Sequence, residues 1–354
     1  MKEVTVKRHR IISFLPLLVF LFLVGSLAYH AFWRPNSFSE RREITINVSR
    51  GSTFKEISDT LQSYDVIENK LLFQFAGRII GWTTHMKVGR YVFADGISNY
   101  EILSSLHSGK STVAIPVTIP EGYTSKQIAS ILYHRIGSDS SLFVHLVHDS
   151  LFARELGLGG ASLEGYLMPE TYQFYWQMDE QDILRDLVKQ FHKFYTDSLQ
   201  HVEHELALMT RDVLTVASIV EGEAIIDSER AIIAGVFYNR LKKGMKLEAD
   251  PTIQFLLDDL ALRTGRRVLY RDLTIDSPYN TYLYRGLPPT PISNPGKKSI
   301  LAALYPAKHK YLYFVSNGLG GHVFSKDYED HQRAVQEYRL QRQMVESKEA
   351  SGVN

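Results

Sequence analysis

The pattern of apolar and polar positions divides the chain into an apolar head, a small alternating module and a longer helix-rich body. From Ile11 to Trp33 no Asp, Glu, Lys or Arg interrupts the run. About 20 apolar residues suffice to cross the hydrocarbon core of a bilayer, so residues 11–33 predict a transmembrane helix. Lys7, Arg8 and Arg10 stand before it, which places residues 1–10 in the cytoplasm and everything after Arg34 outside. Arg41 and Arg42 follow the run but sit between Glu40 and Glu43. A cleaved signal peptide ending at Ser26-Leu27-Ala28 competes, yet the apolar run continues through Ala31, Phe32 and Trp33, beyond a signal core. Both readings export the rest of the chain.

Residues 43–110 read as a compact βααβ-like module with one further helix. Ile44, Ile46 and Val48 alternate with polar residues as a strand does, and Gly51 ends it. Thr53 with Glu56 forms a capping box for a helix carrying Phe54, Ile57 and Leu61. Leu71 to Ile80 predicts a second helix and Tyr91 to Phe93 a short strand. Ser98 with Glu101 opens a third helix, closed by Gly109. A faint repeat follows: Val117, Ile119, Gly122, Thr124, Lys126, Ile128 and Leu132 reproduce the order of Ile46, Val48, Gly51, Thr53, Lys55, Ile57 and Leu61. Strand–turn–helix chemistry accounts for that order as well as common descent does.

Residues 113–345 predict a mixed α+β domain, so the fold class is α+β throughout. Helices are expected from about Glu180 to Thr196, Arg211 to Glu223 and Ser228 to Lys243. The last begins with Asp227 and Glu229 and ends on Lys242 and Lys243 before Gly244, so both ends complement its dipole. Asp250 before Pro251 resembles an N-cap with Pro at the first helical position. The proline-rich stretch from Tyr279 to Gly296 cannot be regular structure. Tyr311 to Val315 and His322 to Ser325 read as a hairpin, a polar helix follows from about Glu329, and residues 346–354 read as a tail.

Composition narrows the classes. A length of 354 residues suits about two domains beyond the anchor. The formal net charge of +1 and the lack of basic blocks argue against nucleic acid as a partner. The chain has no cysteine, which excludes disulfides, thiolate metal sites and a cysteine nucleophile.

Chemistry concentrates at Val213 to Glu223. This segment is apolar on nearly every side and predicts a buried helix with Glu221 at its end. A carboxyl there loses water, and desolvation raises its pKa toward the range a glycosidic general acid needs. Gly222 would leave room for a sugar, while Glu223 lies off that helical face. The competing reading is that Glu221 merely pairs with Arg230 or Arg240. Glu229, Arg230, Asn239, Arg240, Asp250, Tyr279, Asn280 and Tyr282 could line a cleft around it. The loop Tyr279-Asn280-Thr281-Tyr282 offers amide and phenol groups to sugar hydroxyls and aromatic faces to pyranose rings. Asn239 and Arg240 more simply anchor loops. His322 and His331 lack metal-ligand spacing, so no metal and no cofactor are expected. Ser218 has no nucleophile elbow around it, and no phosphate loop is present.

The run Ala217-Ser218-Ile219-Val220-Glu221-Gly222-Glu223 resembles the endolytic murein transglycosylase, or YceG-like, family. The similarity continues through Ser228-Glu229-Arg230, Val236 to Leu241, Asp250-Pro251-Thr252, Ser277 to Tyr282, Gly286 to Pro289, Asn294-Pro295-Gly296 and Tyr311 to Val315, and ends at Gly320 to Phe324. Upstream, Leu163 to Leu167 and Pro169 to Tyr172 carry the same resemblance. It implies a single-pass anchor, a LysM-like module and a catalytic domain that cuts peptidoglycan glycan strands. It assigns catalysis to the Glu at the position of Glu221; Glu223, Arg230, Asn239, Arg240, Tyr279, Asn280, Tyr282 and His322 are the candidate substrate contacts around it. One Glu serves as acid and then as base while the muramyl 6-hydroxyl attacks its own C1, so a 1,6-anhydro end forms and no second carboxylate is needed to activate water. Peptidoglycan synthases are implied as partners. Two positions depart from the family pattern: Gly222 where Lys is frequent, and Thr290 where Gly is common. A muramidase using water, or a non-catalytic peptidoglycan-binding scaffold, are the rival functions.

Overall fold

The computed structural model describes residues 3–38, 42–109, 112–159, 162–259 and 268–350, with side chains from Leu15 to Met344. Glu40, Arg41, Lys110 and the end of the chain beyond Ala350 lie outside the described residues, as do the side chains of Lys7, Arg8 and Arg10. The chain forms two compact units: residues 1–116 with 173–178, and residues 117–172 with 179–354.

The first unit opens with α1 (Glu3–Ala28), which runs into a wider π-type turn over Tyr29–Trp33. Its segment Leu15–Trp33 is, among the described residues, the one helical stretch long and apolar enough to cross a membrane. β1 (Glu43–Val48) alternates exposed and buried residues, so Ile44, Ile46 and Val48 face a core. It pairs antiparallel with β2 (Gly89–Ala94), Ile46 opposite Tyr91. Between them lie α2 (Phe54–Ser63) and α3 (Lys70–Ile79), and α4 (Asn99–Ser108) follows. The two expected capping boxes form: Thr53 with Glu56, and Ser98 with Glu101. Gly109 closes α4 at φ +73°, a left-handed conformation natural to glycine. The βααβ order with an added helix is therefore as read.

The foot of the anchor is built into this module. Ala31 and Phe32 belong to the same apolar core as Ile46, Leu61, Phe73 and Leu103. Asn99 Nδ2 donates to Ala31 O at 3.0 Å. Asn36 donates to Ile97 O at 2.9 Å and Asn99 Oδ1 at 3.1 Å, and accepts from Glu68 N at 3.0 Å.

The second unit comprises α5 (Ser125–Ile136), α6 (Ser140–Val147), α7 (Ser150–Glu155), α8 (Glu180–Phe194), α9 (Asp197–Glu205), α10 (Thr210–Glu223), α11 (Arg230–Lys242), α12 (Asp250–Asp259), α13 (Lys297–Leu304) and α14 (Tyr328–Ala350). Short strands β3 (Ile115–Thr118) and β4 (Thr171–Phe174) pair, and β5 (Tyr313–Ser316) pairs antiparallel with β6 (His322–Ser325). The unit is built around α10, which packs against α13, α11 and α12. Every residue of α10 from Val213 to Val220 is buried. α5 repeats the start of α2, with Gly122 at φ +76° where Gly51 has +79°, and a Thr124–Gln127 capping box.

Three sequence expectations need correction. The helix expected from Ser228 begins as a 3-10 turn over Asp227–Glu229 and becomes α-helical at Arg230. Asp250 is the first residue of α12 rather than its side-chain cap. α14 continues through Ala350, past the Glu346 boundary expected for the tail.

All three tryptophans, Trp33, Trp82 and Trp176, belong to the first unit, so their emission reports on it alone. Asn36→Ala strands the buried Asn99 amide group and the Glu68 N–H, and we expect the first unit to lose about 1–3 kcal/mol. Urea titration of the detergent-solubilised chain, read by tryptophan emission, checks this; an unchanged midpoint refutes it.

Candidate active site

The last turn of α10 emerges from the core carrying two carboxylates. Residues two apart on a helix point about 200° away from each other, so Glu221 and Glu223 must serve different sides. Glu221 has an 8% exposed side chain. Its Oε1 accepts from Arg230 at 2.9 Å and its Oε2 from Gly296 N at 2.9 Å. Arg230, itself buried, also donates to Asp227 at 3.1 Å and to Ser299 Oγ. Glu221, expected as a proton donor open to a sugar, thus has both oxygens accepting, one of them in an ion pair with Arg230.

Glu223 occupies the other side. With Gly122, Ser218, Gly222, Asp250, Gln254 and Phe255 it lines a cavity of about 370 Å³. Burial above all, and then the neighbouring Asp250 charge, push its carboxyl up to about 8, against the opposing pull of the Asp250 N–H and Arg240. Asp250 is held in turn by the Tyr282 hydroxyl, which donates to it at 2.6 Å. Gly222 is exposed and lines the cavity, and its missing side chain has a second effect. A Cβ there would lie 2.7 Å from Pro251 Cβ, so the missing side chain lets α12 close against α10.

A second cavity of about 260 Å³ adjoins the first and shares Thr124, Gln127, Phe255 and Asp258 with it. Its far wall carries His148, Glu164, Tyr279 and Thr290. Glu164 is 4% exposed and accepts from Ser125 N, Ser125 Oγ and Asn294 Nδ2. Burial outweighs those donors and pushes it up to about 7. Asn294, fully buried, accepts from Gly165 N at 2.8 Å and Leu167 N at 3.0 Å while donating to Tyr123 O and Glu164. It ties together three segments that frame this cavity.

The remaining expected contacts separate clearly. Tyr279 reaches the second cavity, with its hydroxyl on Thr290 Oγ1 at 2.7 Å. Asn280 does not: it is fully buried, donates to Leu273 O and Ile275 O, and accepts from Tyr282 N, so it shapes the loop. Asn239 donates to His309 O and Tyr311 O. Arg240 donates to Leu312 O, Leu247 O and Glu248, and stacks over Tyr313. His322 bonds Glu229 at 2.7 Å and fastens β6 to the turn before α11. These three anchor loops; they line neither cavity.

Glu121 was missed. It packs over Gly296, where any side chain would clash with it. Partial desolvation and then the Glu221 charge raise its pKa. Its signal in the sequence is a carboxylate just before the tight Gly122 turn. Gln254 and Asp258 were missed too, and Glu164 and Asn294, though inside family-like runs, were given no role.

A carboxyl pushed up by burial, lining a cavity with hydroxyl, amide and carboxyl groups, is suited to general acid–base chemistry. The comparisons agree with that class. The chain belongs to the YceG-like family, whose profile matches residues 46–337. It is 33% identical over 334 residues to an endolytic murein transglycosylase of Bacillus subtilis, covering 90% of this chain and 91% of that protein. A Streptococcus pneumoniae protein of the same description is 29% identical over 367 residues, covering 93% of this chain and 65% of that protein. A crystal structure of a yceG-like protein from Listeria monocytogenes shares 33% identity with a TM-score of 0.57, covering 82% of this chain and 98% of that one.

Removing Arg230 would leave the Glu221 charge buried and unpaired. Arg230→Met is expected to cost the second unit about 3–5 kcal/mol, with much of it recovered in the double variant Arg230→Met, Glu221→Leu. Thermal unfolding followed by calorimetry tests both, and a neutral single variant rejects the ion pair's structural role.

Proposed function

We propose that this chain is an endolytic lytic transglycosylase of peptidoglycan, with Glu223 as the acid and base, cutting the MurNAc–GlcNAc bond of nascent strands and so ending them. The observation that carries the reading is the Glu223 carboxyl, pushed up to about 8 at the edge of the cavity. The relatives' description as murein transglycosylases supports the substrate.

The protonated Glu223 gives its proton to the oxygen between the two sugars. The bond from muramyl C1 to that oxygen breaks, the GlcNAc side leaves with a hydroxyl, and positive charge gathers at C1. The Asp250 charge, which keeps the proton on Glu223 beforehand, favours that developing cation. The Glu223 carboxylate then takes the proton of the muramyl 6-hydroxyl as O6 bonds to C1. Glu223 is restored, no water is consumed, and neither metal nor cofactor is needed. Tyr279 suits a sugar ring or hydroxyl in the adjoining cavity.

The same reading makes residues 11–33 a single-pass anchor with residues 1–10 cytoplasmic and everything after Arg34 outside the inner membrane, beside the peptidoglycan synthases. It makes the βααβ part of the first unit LysM-like. The long apolar segment Leu15–Trp33 and the basic residues before it support the topology.

Glu223→Gln is expected to lower cleavage of purified sacculi at least about 100-fold while the chain stays folded. Glu221→Gln should keep measurable cleavage. Mass spectrometry of the digests reads both, together with the 1,6-anhydro end; a reducing end would mark a muramidase instead. Loss in Glu221→Gln with activity kept in Glu223→Gln reverses the assignment.

The pH dependence follows from the same carboxyl. The acid works only when protonated, so kcat/KM should hold below about 8 and fall as pH rises through it. A profile already falling near the ordinary carboxylate range would remove Glu223 as the acid.

A further inference from the structure

The exposed face of α3 is apolar along its whole length. Leu71, Phe75 and Ile79 recur every four residues, on one side of the helix, and are 74%, 41% and 63% exposed. The opposite side, with Phe73, Ala76 and Gly77, fills the core of the first unit. The only charges on α3 are Lys70 and Arg78, both basic. Lys70 is paired with Asp59 at 2.5 Å. Single exposed apolar residues are ordinary, but a stripe of large ones marks a surface meant to be covered.

The position of α3 says what covers it. Glu68, two residues before the helix, pairs with Arg34 at 3.1 Å and accepts from Ser37 N at 3.4 Å. Asn36 accepts from Glu68 N. Arg34 directly follows Trp33, the last residue of the membrane-length segment. α3 also packs against the π-type turn that ends that segment. The start of α3 is therefore fastened to the place where the chain leaves the bilayer, and the whole helix spans only about 15 Å.

We propose that the Leu71–Phe75–Ile79 face of α3 lies in the outer boundary of the lipid bilayer, as a second membrane contact beside the anchor. Apolar side chains there reach the boundary between headgroups and acyl chains, and Arg78 meets anionic headgroups. The first unit is then held at two points and cannot swing freely about the anchor. This inference rests on the reading of residues 11–33 as a membrane anchor, and the test separates the two.

The chain has no cysteine, so single cysteines give unique labels. Phe75→Cys and Ile79→Cys, with Phe22→Cys in the anchor, each carry an environment-sensitive fluorophore on the full chain. The chain is reconstituted into phosphatidylethanolamine–phosphatidylglycerol vesicles with or without spin-labelled lipids, one labelled at shallow depth for the Phe75 and Ile79 sites and one near the bilayer centre for Phe22. All three labels are expected to lose most of their emission to the spin-labelled lipid and to be protected from aqueous iodide. If only the Phe22 label is quenched by lipid and the others by iodide, the second contact is wrong and the anchor stands. If the Phe75 and Ile79 labels are shielded from both quenchers, protein covers the stripe and the lipid proposal fails. An unquenched Phe22 label overturns the anchor, and the contact with it.

Discussion

The second unit depends on one geometric constraint: a helix buried on every side can present its functional groups only where it ends. α10 has no polar face from Val213 to Val220, because α11, α12 and α13 enclose it. Its last turn must therefore carry all the chemistry it offers. The helical turn then sends the carboxylates of Glu221 and Glu223 to opposite sides. One faces Arg230 and the backbone of Gly296; the other faces the cavity. Gly222 between them is the contact at which α12 closes on α10, so the position of Asp250 beside Glu223 is fixed by the same turn.

Much of the architecture was legible in the sequence because it rests on local rules. Capping boxes at Thr53 and Ser98, the glycine at 109 and the alternation in β1 each specify an element without distant partners. The apolar character of α10 was equally plain. What that character conceals is direction. An amphipathic helix announces which side meets solvent, whereas one apolar all round gives no face from which to choose between Glu221 and Glu223. The choice is made by Pro251, Arg230 and Gly296, none of which lies within its sequence neighbourhood. The sequence reading held the ion pair with Arg230 as an alternative for Glu221, and that alternative describes the structure.

The polar loop Tyr279–Tyr282 shows a second limit. Its composition suits sugar recognition, but composition does not say which groups are spent on the loop itself. Asn280 uses both ends of its amide to bind backbone, as a short polar side chain in a proline-rich turn commonly does. Tyr282 is spent on Asp250, and Tyr279 alone reaches the second cavity. Arg240 and Asn239 follow the same logic: long or forked donors near a helix end satisfy carbonyls of irregular segments that have no ladder of their own. Asn294 belongs to this group although it bonds Glu164 at the cavity wall. Its four bonds join segments far apart in sequence, so the local run Asn294-Pro295-Gly296 marks the residue without revealing its role.

The two cavities hold several carboxyls, and their surroundings assign them different work. Glu164 is enclosed by donors on the backbone of α5 and on Asn294, which makes it a structural acceptor even with its pKa near 7. Asp250 accepts from a phenol and is the first residue of a helix. Its carboxylate is the second of the causes raising Glu223, after burial. A carboxyl raised in this way suits proton transfer. Asp250 holds one oxygen on Tyr282, and beside Glu223 it acts as a neighbouring charge. On the proposed reading, the chemistry left to Glu223 is to give a proton and take one back. A sugar whose own hydroxyl supplies the nucleophile asks nothing further of the protein.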